Sequence, residues 1–269
     1  MITSRGLSFS YPGGRRILSG IDFHIEKGES VALLGANGSG KSTLLGLIST
    51  LLPVTEGKLS VAGTIADSEM KRREIRRHIA YVFQNPDACF VSDTVLEDAC
   101  FTPMNYGYSE KDAKDMALVS LEHYGILDKK DRLIDSLSGG EKERAILASV
   151  SALEKDLYIF DEVLTFLDGN ARHTMLSLIS QLKKDGKTII FVTHDPDDAL
   201  YFDRTMLLSD GKIAAFDETE KVLRDVDLLR SSGMRPCKAT LIAQNLMKRG
   251  ISLPFMPLGK EELCSLLGM

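Results

Sequence analysis

The chain is 269 residues long, carries a formal net charge of −5, and is 43% hydrophobic with no Trp. That length holds one large α/β domain, a small appendix and a substantial core. The acidic balance argues against a nucleic-acid partner, because phosphate backbones select basic surfaces, and no apolar run approaches the ~18 residues that a spanning helix needs.

The opening Met1–Arg5 lacks the apolar stretch of a signal peptide, so any membrane role is expected to come through a partner. Residues 2–34 read as β-structure with turns. Leu7, Phe9 and Tyr11 alternate with Ser8 and Ser10 before Pro12-Gly13-Gly14, and Ile21, Phe23 and Ile25 form a second alternation. Ser30–Leu34 is a short apolar run before glycines, as expected of a buried parallel strand, and Thr43–Ile48 continues as a helix. Residues 68–79, rich in Lys and Arg, read as a solvated helix. From about 93 to 153 the pattern is helical, an insertion between two halves of a parallel sheet. Leu157–Phe160 and Thr188–Val192 are two further buried-type strands around an amphipathic helix at 171–184. A hairpin of Thr205–Leu208 and Lys212–Phe216, turned at Asp210-Gly211, closes the main domain. Beyond it, Glu218–Arg230, Pro236–Arg249 and Gly259–Leu267 read as three short helices, the second stopped by Gly250. The four cysteines (Cys89, Cys100, Cys237, Cys264) show no C-x-x-C pairing and read as scattered free thiols of a reducing compartment.

Between the strand at 30–34 and its helix, Gly35-Ala36-Asn37-Gly38-Ser39-Gly40-Lys41-Ser42 fits G-x-x-x-x-G-K-[ST] in full. Glycines let backbone N–H groups converge on phosphate oxygens, and the helix presents its positive end. Lys41 can bridge the β- and γ-phosphates, Ser42 can ligate Mg²⁺, and the Thr43 N–H can reach the α-phosphate. The spacing does not fit G-x-G-x-x-G, which disfavours a dinucleotide fold. Asp161-Glu162 follows the apolar strand at 157–160. Alone, an acidic pair there is more often a helix start. Paired with the phosphate loop, Asp161 can hold the Mg²⁺ shell and Glu162 can take a proton from the attacking water.

Taken in order, these motifs resemble the ATP-binding cassette (ABC) ATPases over about residues 2–216. Leu137-Ser138-Gly139-Gly140-Glu141 matches the family signature. Gln84 matches the Q-loop glutamine, Leu167-Asp168 the D-loop, and His194 in Val192-Thr193-His194-Asp195 the switch histidine. Tyr11 lies where the family places an aromatic that stacks on adenine; the plainer reading is half-buried packing. The resemblance implies a P-loop α/β cassette with an N-terminal antiparallel β-subdomain and a helical insertion (about 93–153) within 1–216, followed by a C-terminal helical extension at 217–269. It also implies a head-to-tail dimer. ATP on one subunit would be capped by Ser138, Gly139 and Gly140 of a second cassette, His194 would contact the γ-phosphate, and Gln84 would touch Mg²⁺ and report nucleotide state.

A narrower resemblance lies in Gln84-Asn85-Pro86-Asp87, Asp93–Asp98 and Phe101–Asn105, which are similar to the energy-coupling-factor (ECF) branch, the ATPases of cobalt, nickel and vitamin uptake. It implies a transmembrane coupling subunit and a substrate-binding membrane protein as partners, and a peripheral place on the cytoplasmic face of the membrane. Alternatives are a weakly hydrolysing partner in a cassette heterodimer, or a soluble non-transport cassette. The C-terminal helices read either as a cap on one domain edge or as a second dimer contact. One stretch departs from the family: D-E-P-[ST] is replaced by Asp161-Glu162-Val163-Leu164, and Thr165-Phe166 is bulkier than usual. Losing proline frees φ and restores an N–H that must find a partner.

Overall fold

The computed structural model describes all residues except Phe166, Asp168 and Met269, and of Pro86 the backbone alone. Two compact units emerge, one of residues 1–72 and 190–269, the other of residues 73–189.

In the first unit the N-terminal alternations pair as expected: β1 (Ile2–Ser10) runs antiparallel to β2 (Arg16–Ile25), with Ile2 opposite Ile25 and Leu7 opposite Ile21. The alternation is not strict. Register shifts after Ser4 and Leu7 turn Leu7, Ser8 and Phe9 all inward, and the buried Ser8 hydroxyl accepts the Gly20 N–H (3.0 Å). A bulge of this kind inserts a residue that pattern alone does not reveal. Next come β3 (Ser30–Leu34), buried throughout, and α1 (Lys41–Ile48). β4 (Glu56–Val61) and β5 (Thr64–Ile65) complete an antiparallel sheet ordered β2-β1-β4-β5. α2 (Glu69–Arg77) then leads out of this unit, burying only Ile75 and carrying the ion pairs Lys71–Asp67 and Arg72–Glu69, as a solvated helix should.

The second unit opens with β6 (Ile79–Val82). α3 (Val95–Asn105), α4 (Glu110–His123) and α5 (Gly139–Ser151) form the helical insertion. Thr94 and Ser109 cap α3 and α4 by accepting N–H groups of Glu97 and Asp112. Buried Ala99, Ala113, Ala117 and Ala148 let the three helices approach closely. β7 (Leu157–Asp161) pairs parallel with β6, and α6 (Gly169–Lys184) follows.

β8 (Thr188–Thr193) carries the chain back into the first unit. There α7 (Pro196–Ala199), β9 (Arg204–Ser209) and β10 (Lys212–Glu218) follow, and β9 pairs parallel with β3 and antiparallel with β10. Phe23 of β2 meets Phe216 of β10 edge-on at 6.5 Å. The first of the three expected C-terminal helices is two, α8 (Thr219–Arg224) and α9 (Val226–Ser231). Asp225 breaks the run and caps the second piece by accepting the Leu228 N–H (2.9 Å). α10 (Lys238–Lys248) ends before Gly250 at φ 88°, and α11 (Lys260–Leu266) packs Leu263 against Ala239 and Ala243. No described helix is long and apolar enough to cross a membrane.

Candidate nucleotide site

β3 runs straight into the glycine loop, and α1 begins at Lys41. Two of its glycines are sterically required. A Cβ on Gly35 would lie 2.5 Å from the Leu208 carbonyl and from Ser39 Oγ, and Gly40 takes φ 107° with Leu18 only 2.8 Å from where its Cβ would be. The loop folds on itself through Ser39 N–H to Ala36 O (3.2 Å). Lys41, 6% exposed, donates from its ammonium to Gly35 O (2.8 Å) and Ala36 O (3.2 Å). The Ser39 hydroxyl is buried with no hydrogen-bond partner among the described residues. The loop carbonyls hold the ammonium at the start of the helix, beside a buried hydroxyl that a phosphate oxygen would satisfy. Asn37, Gly38 and Ser42 are exposed, and Thr43 is buried.

The β9–β10 turn braces this loop. Asp210 (φ 47°) and Gly211 (φ 72°) make a tight left-handed turn, whose Gly211 N–H donates to Ser39 O (3.1 Å) while Gly211 O accepts the Ser19 N–H (2.9 Å). Tyr11, just past the end of β1, is 46% exposed, edge-on to Phe9 at 5.1 Å, and holds its hydroxyl 3.5 Å from Thr43 Oγ1. The ring is thus fixed by one neighbour and half open. If it stacks on a nucleobase, Tyr11→Ala raises the KM for ATP about fivefold, since an aromatic pair contributes ~1 kcal/mol beyond area burial, while Tyr11→Phe stays within about twofold. Steady-state ATPase kinetics of the two variants check this.

In the second unit the parallel register sets Tyr81 opposite Ile159 and Val82 opposite Phe160. Tyr81 Oη donates to Asp161 Oδ2 (2.8 Å), and burial, reinforced by the Asp161 charge, pushes the phenol far above its usual range. Gln84 Nε2 donates to Glu162 Oε2 (3.4 Å), so the Q-loop residue and the carboxylate meet. Glu162 itself has φ 50°, the left-handed region that non-glycine residues rarely take. Its carbonyl accepts the Thr165 N–H (3.1 Å), and Val163 and Leu164 are 3% and 5% exposed. The residues that replace P-[ST] therefore anchor the turn in the core. A proline at 163 would bias residue 162 toward extended φ; valine permits the left-handed turn.

Ser138, exposed with Gly139, precedes α5. The Glu141 carboxylate accepts both the Ser138 N–H (2.8 Å) and its hydroxyl (2.9 Å), and the Ser138 N–H foremost holds the Glu141 carboxyl below its ordinary range. Glu141 thus gives this helix a charged cap. One residue on, Lys142 Nζ donates to Asp87 Oδ1 (2.7 Å), tying the signature helix to the turn after Gln84. His194 is exposed at the end of β8. Its neighbours are fixed by Thr193 Oγ1, which accepts the Asp195 N–H (3.0 Å) and donates to Asp198 Oδ2 (2.8 Å). Of the D-loop pair, Asp168 lies outside the described residues.

Tyr81 and Lys142 escaped the sequence reading, and Gly211 reads from sequence only as a hairpin turn, not as the brace of the phosphate loop. Only Tyr81 carried a signal, a hydroxyl in an apolar strand that needs a partner when buried.

The sequence model of the family described as "ABC transporter" matches residues 18–165. The cobalt import ATP-binding protein CbiO of Syntrophus aciditrophicus is 38% identical over 265 residues, 98% of this chain and 95% of that protein. The energy-coupling factor transporter ATP-binding protein EcfA2 of Lactococcus lactis subsp. cremoris is 35% identical over 99% of this chain and 96% of its own. Among solved structures, cbiO1 of Clostridium perfringens, part of the ABC transporter complex cbiONQ, superposes with a TM-score of 0.78 at 29% identity, covering 92% of this chain and 98% of that one. A dimeric ATP-binding cassette in a post-hydrolysis state bound to ADP and Pi gives a TM-score of 0.70 at 27% identity over 81% of this chain and 99% of its own.

Proposed function

The chain belongs to the ABC transporter family of ATP-binding proteins, and from that premise we propose that it is the ATP-hydrolysing subunit of an ECF-type importer for a metal ion or vitamin. The observation that carries this reading is the glycine loop closed around the Lys41 ammonium, with the Ser39 hydroxyl buried beside it, in a chain that matches transporter ATP-binding proteins along nearly its whole length.

Gly35–Thr43 hold the triphosphate, with Lys41 spanning the β- and γ-phosphates and Tyr11 against the adenine. Mg²⁺ keeps several waters and takes few protein oxygens beside phosphates; the Ser42 hydroxyl, the Asp161 carboxylate and the Gln84 amide oxygen are donors of that hard type. The ion supplies charge neutralisation at the transferring phosphoryl group. Glu162 accepts the proton of the attacking water, and His194 orients the γ-phosphate. Ser138, Gly139 and Gly140 cap the nucleotide of a second cassette. A transmembrane coupling subunit and a substrate-binding membrane protein complete the assembly, and the chain sits peripherally on the cytoplasmic face.

The purified full-length protein should bind ATP and release phosphate in the presence of Mg²⁺. Lys41→Ala should weaken ATP binding more than tenfold and bring phosphate release to background; unchanged release sinks the assignment. Affinity purification from membranes identifies the partners. A second reading, a weakly hydrolysing member of a heterodimer, is favoured by one observation, the left-handed Glu162 followed by Val163-Leu164. Turnover that appears only with a different cassette added would select it.

A further inference from the structure

The segment joining α9 to α10 reaches two parts of the nucleotide site. Arg235 Nη2 donates to Asp195 Oδ1 (2.7 Å) and Asp197 Oδ2 (3.1 Å). Lys238 gives its backbone N–H to Asp197 Oδ1 (2.9 Å) and its ammonium to Asp195 Oδ2 (3.3 Å) and Asp197 Oδ2 (3.1 Å). Two cations of the C-terminal extension thus bracket the carboxylates one and three residues after His194. Burial raises the Asp195 carboxyl, but the Asp197 N–H, Arg235 and Lys238 outweigh it and hold the group below its ordinary range. Buried Met234, Pro236 and Cys237 anchor the segment; burial, foremost, pushes the Cys237 thiol up to about 12. At its other end Gly233, φ 74°, passes so near the phosphate loop that a Cβ there would lie 3.3 Å from the Ala36 Cβ.

This network is more than the local fold requires. Asp195 already caps α7 by accepting the Asp197 N–H (2.9 Å), and Thr193 and Asp198 already close the turn. What Arg235 and Lys238 add is a link from the loop of His194 to a segment that also passes close to Ala36. We propose that Arg235, supported by Lys238, is a positioning residue for His194, and that residues 233–238 clamp the His194 loop and the phosphate loop to one another. The proposal rests on the reading of His194 and of the phosphate loop given above, and extends it to the C-terminal extension. Arg235 need not touch the nucleotide. It fixes the loop from which His194 projects, and a misplacement of about 1 Å in such a group can cost up to ~10²-fold in rate.

The test uses the full-length protein co-purified with its membrane partners. Arg235→Ala should lower kcat about tenfold with the KM for ATP within about twofold, and Arg235→Lys should recover much of the loss. In a His194→Ala background the same substitution should cost nothing further, because both act through one group. Turnover of Arg235→Ala equal to the wild type, or losses that multiply with those of His194→Ala, would overturn the proposal. Should Arg235→Ala not accumulate as folded protein, Lys238→Gln, which leaves Arg235 in place, is read in the same way with a smaller loss. Amide exchange gives a readout independent of turnover. ATP should slow exchange over 233–238 in the wild type, and Arg235→Ala should lose that slowing while residues 35–43 keep theirs. Protection of 35–43 without any at 233–238 refutes the clamp, whereas protection at neither segment refutes the nucleotide-site reading itself.

Discussion

Glu162→Gln should reduce ATP turnover by at least about 10²-fold, the scale of general-base catalysis, while leaving the affinity for ATP within about twofold. The substitution removes the proton acceptor and little else. Glutamine keeps an oxygen that can accept from Gln84 Nε2, which now sits 3.4 Å from Glu162 Oε2. It also bears the same left-handed backbone at φ 50° with the same cost of about 1–2 kcal/mol, so the thermal midpoint should scarcely move. Phosphate release and nucleotide binding measured on the same preparation separate the two effects. Equal turnover in both forms would show that Glu162 is not the base.

Gly211→Ala should be among the most damaging single-methyl changes in the chain. Gly211 sits at φ 72°, and a Cβ would fall on the carbonyl of Ile17, a backbone atom that cannot swing aside. Displacing the turn also breaks its N–H bond to Ser39 O and its carbonyl bond to Ser19 N–H. Gly186→Ala provides the comparison: φ is 71°, yet nothing lies within 4 Å of the added carbon. That change isolates the backbone cost, about 1–2 kcal/mol. Gly211→Ala should exceed it by at least about 2 kcal/mol in urea unfolding, and should weaken ATP binding because the turn braces the phosphate loop. Equal destabilisation by both alanines would mean that the close approach to Ile17 relaxes freely.

The elements that sequence exposed are those with local chemistry. The strand–glycine loop–helix around Lys41 was legible because backbone geometry there demands particular residues at a fixed spacing. The carboxylates after 157–160 and the hairpin at Asp210-Gly211 were legible for the same reason. What stayed hidden is pairing across distance. Tyr81 with Asp161, Lys142 with Asp87, and Arg235 with Asp195 and Asp197 each join residues about 40 or more apart, and no periodicity records which charge meets which. Two local features misled. The β1 bulge turns Ser8 inward against the alternation, and Asp225 divides a run whose apolar spacing reads as one helix. In both places a side chain captures a backbone N–H, Gly20 in the first and Leu228 in the second, a competition that propensity does not rank.

The bridge between Lys142 and Asp87 has a consequence for timing. The lysine is largely covered while the aspartate side chain is 67% exposed, so the pair contributes no more than ~1 kcal/mol. That is comparable to thermal energy. A joint of this strength fixes where the turn after Gln84 sits against the signature helix, yet it can part and reform within every catalytic cycle without becoming the slow step. The pair therefore sets a position and stores almost nothing.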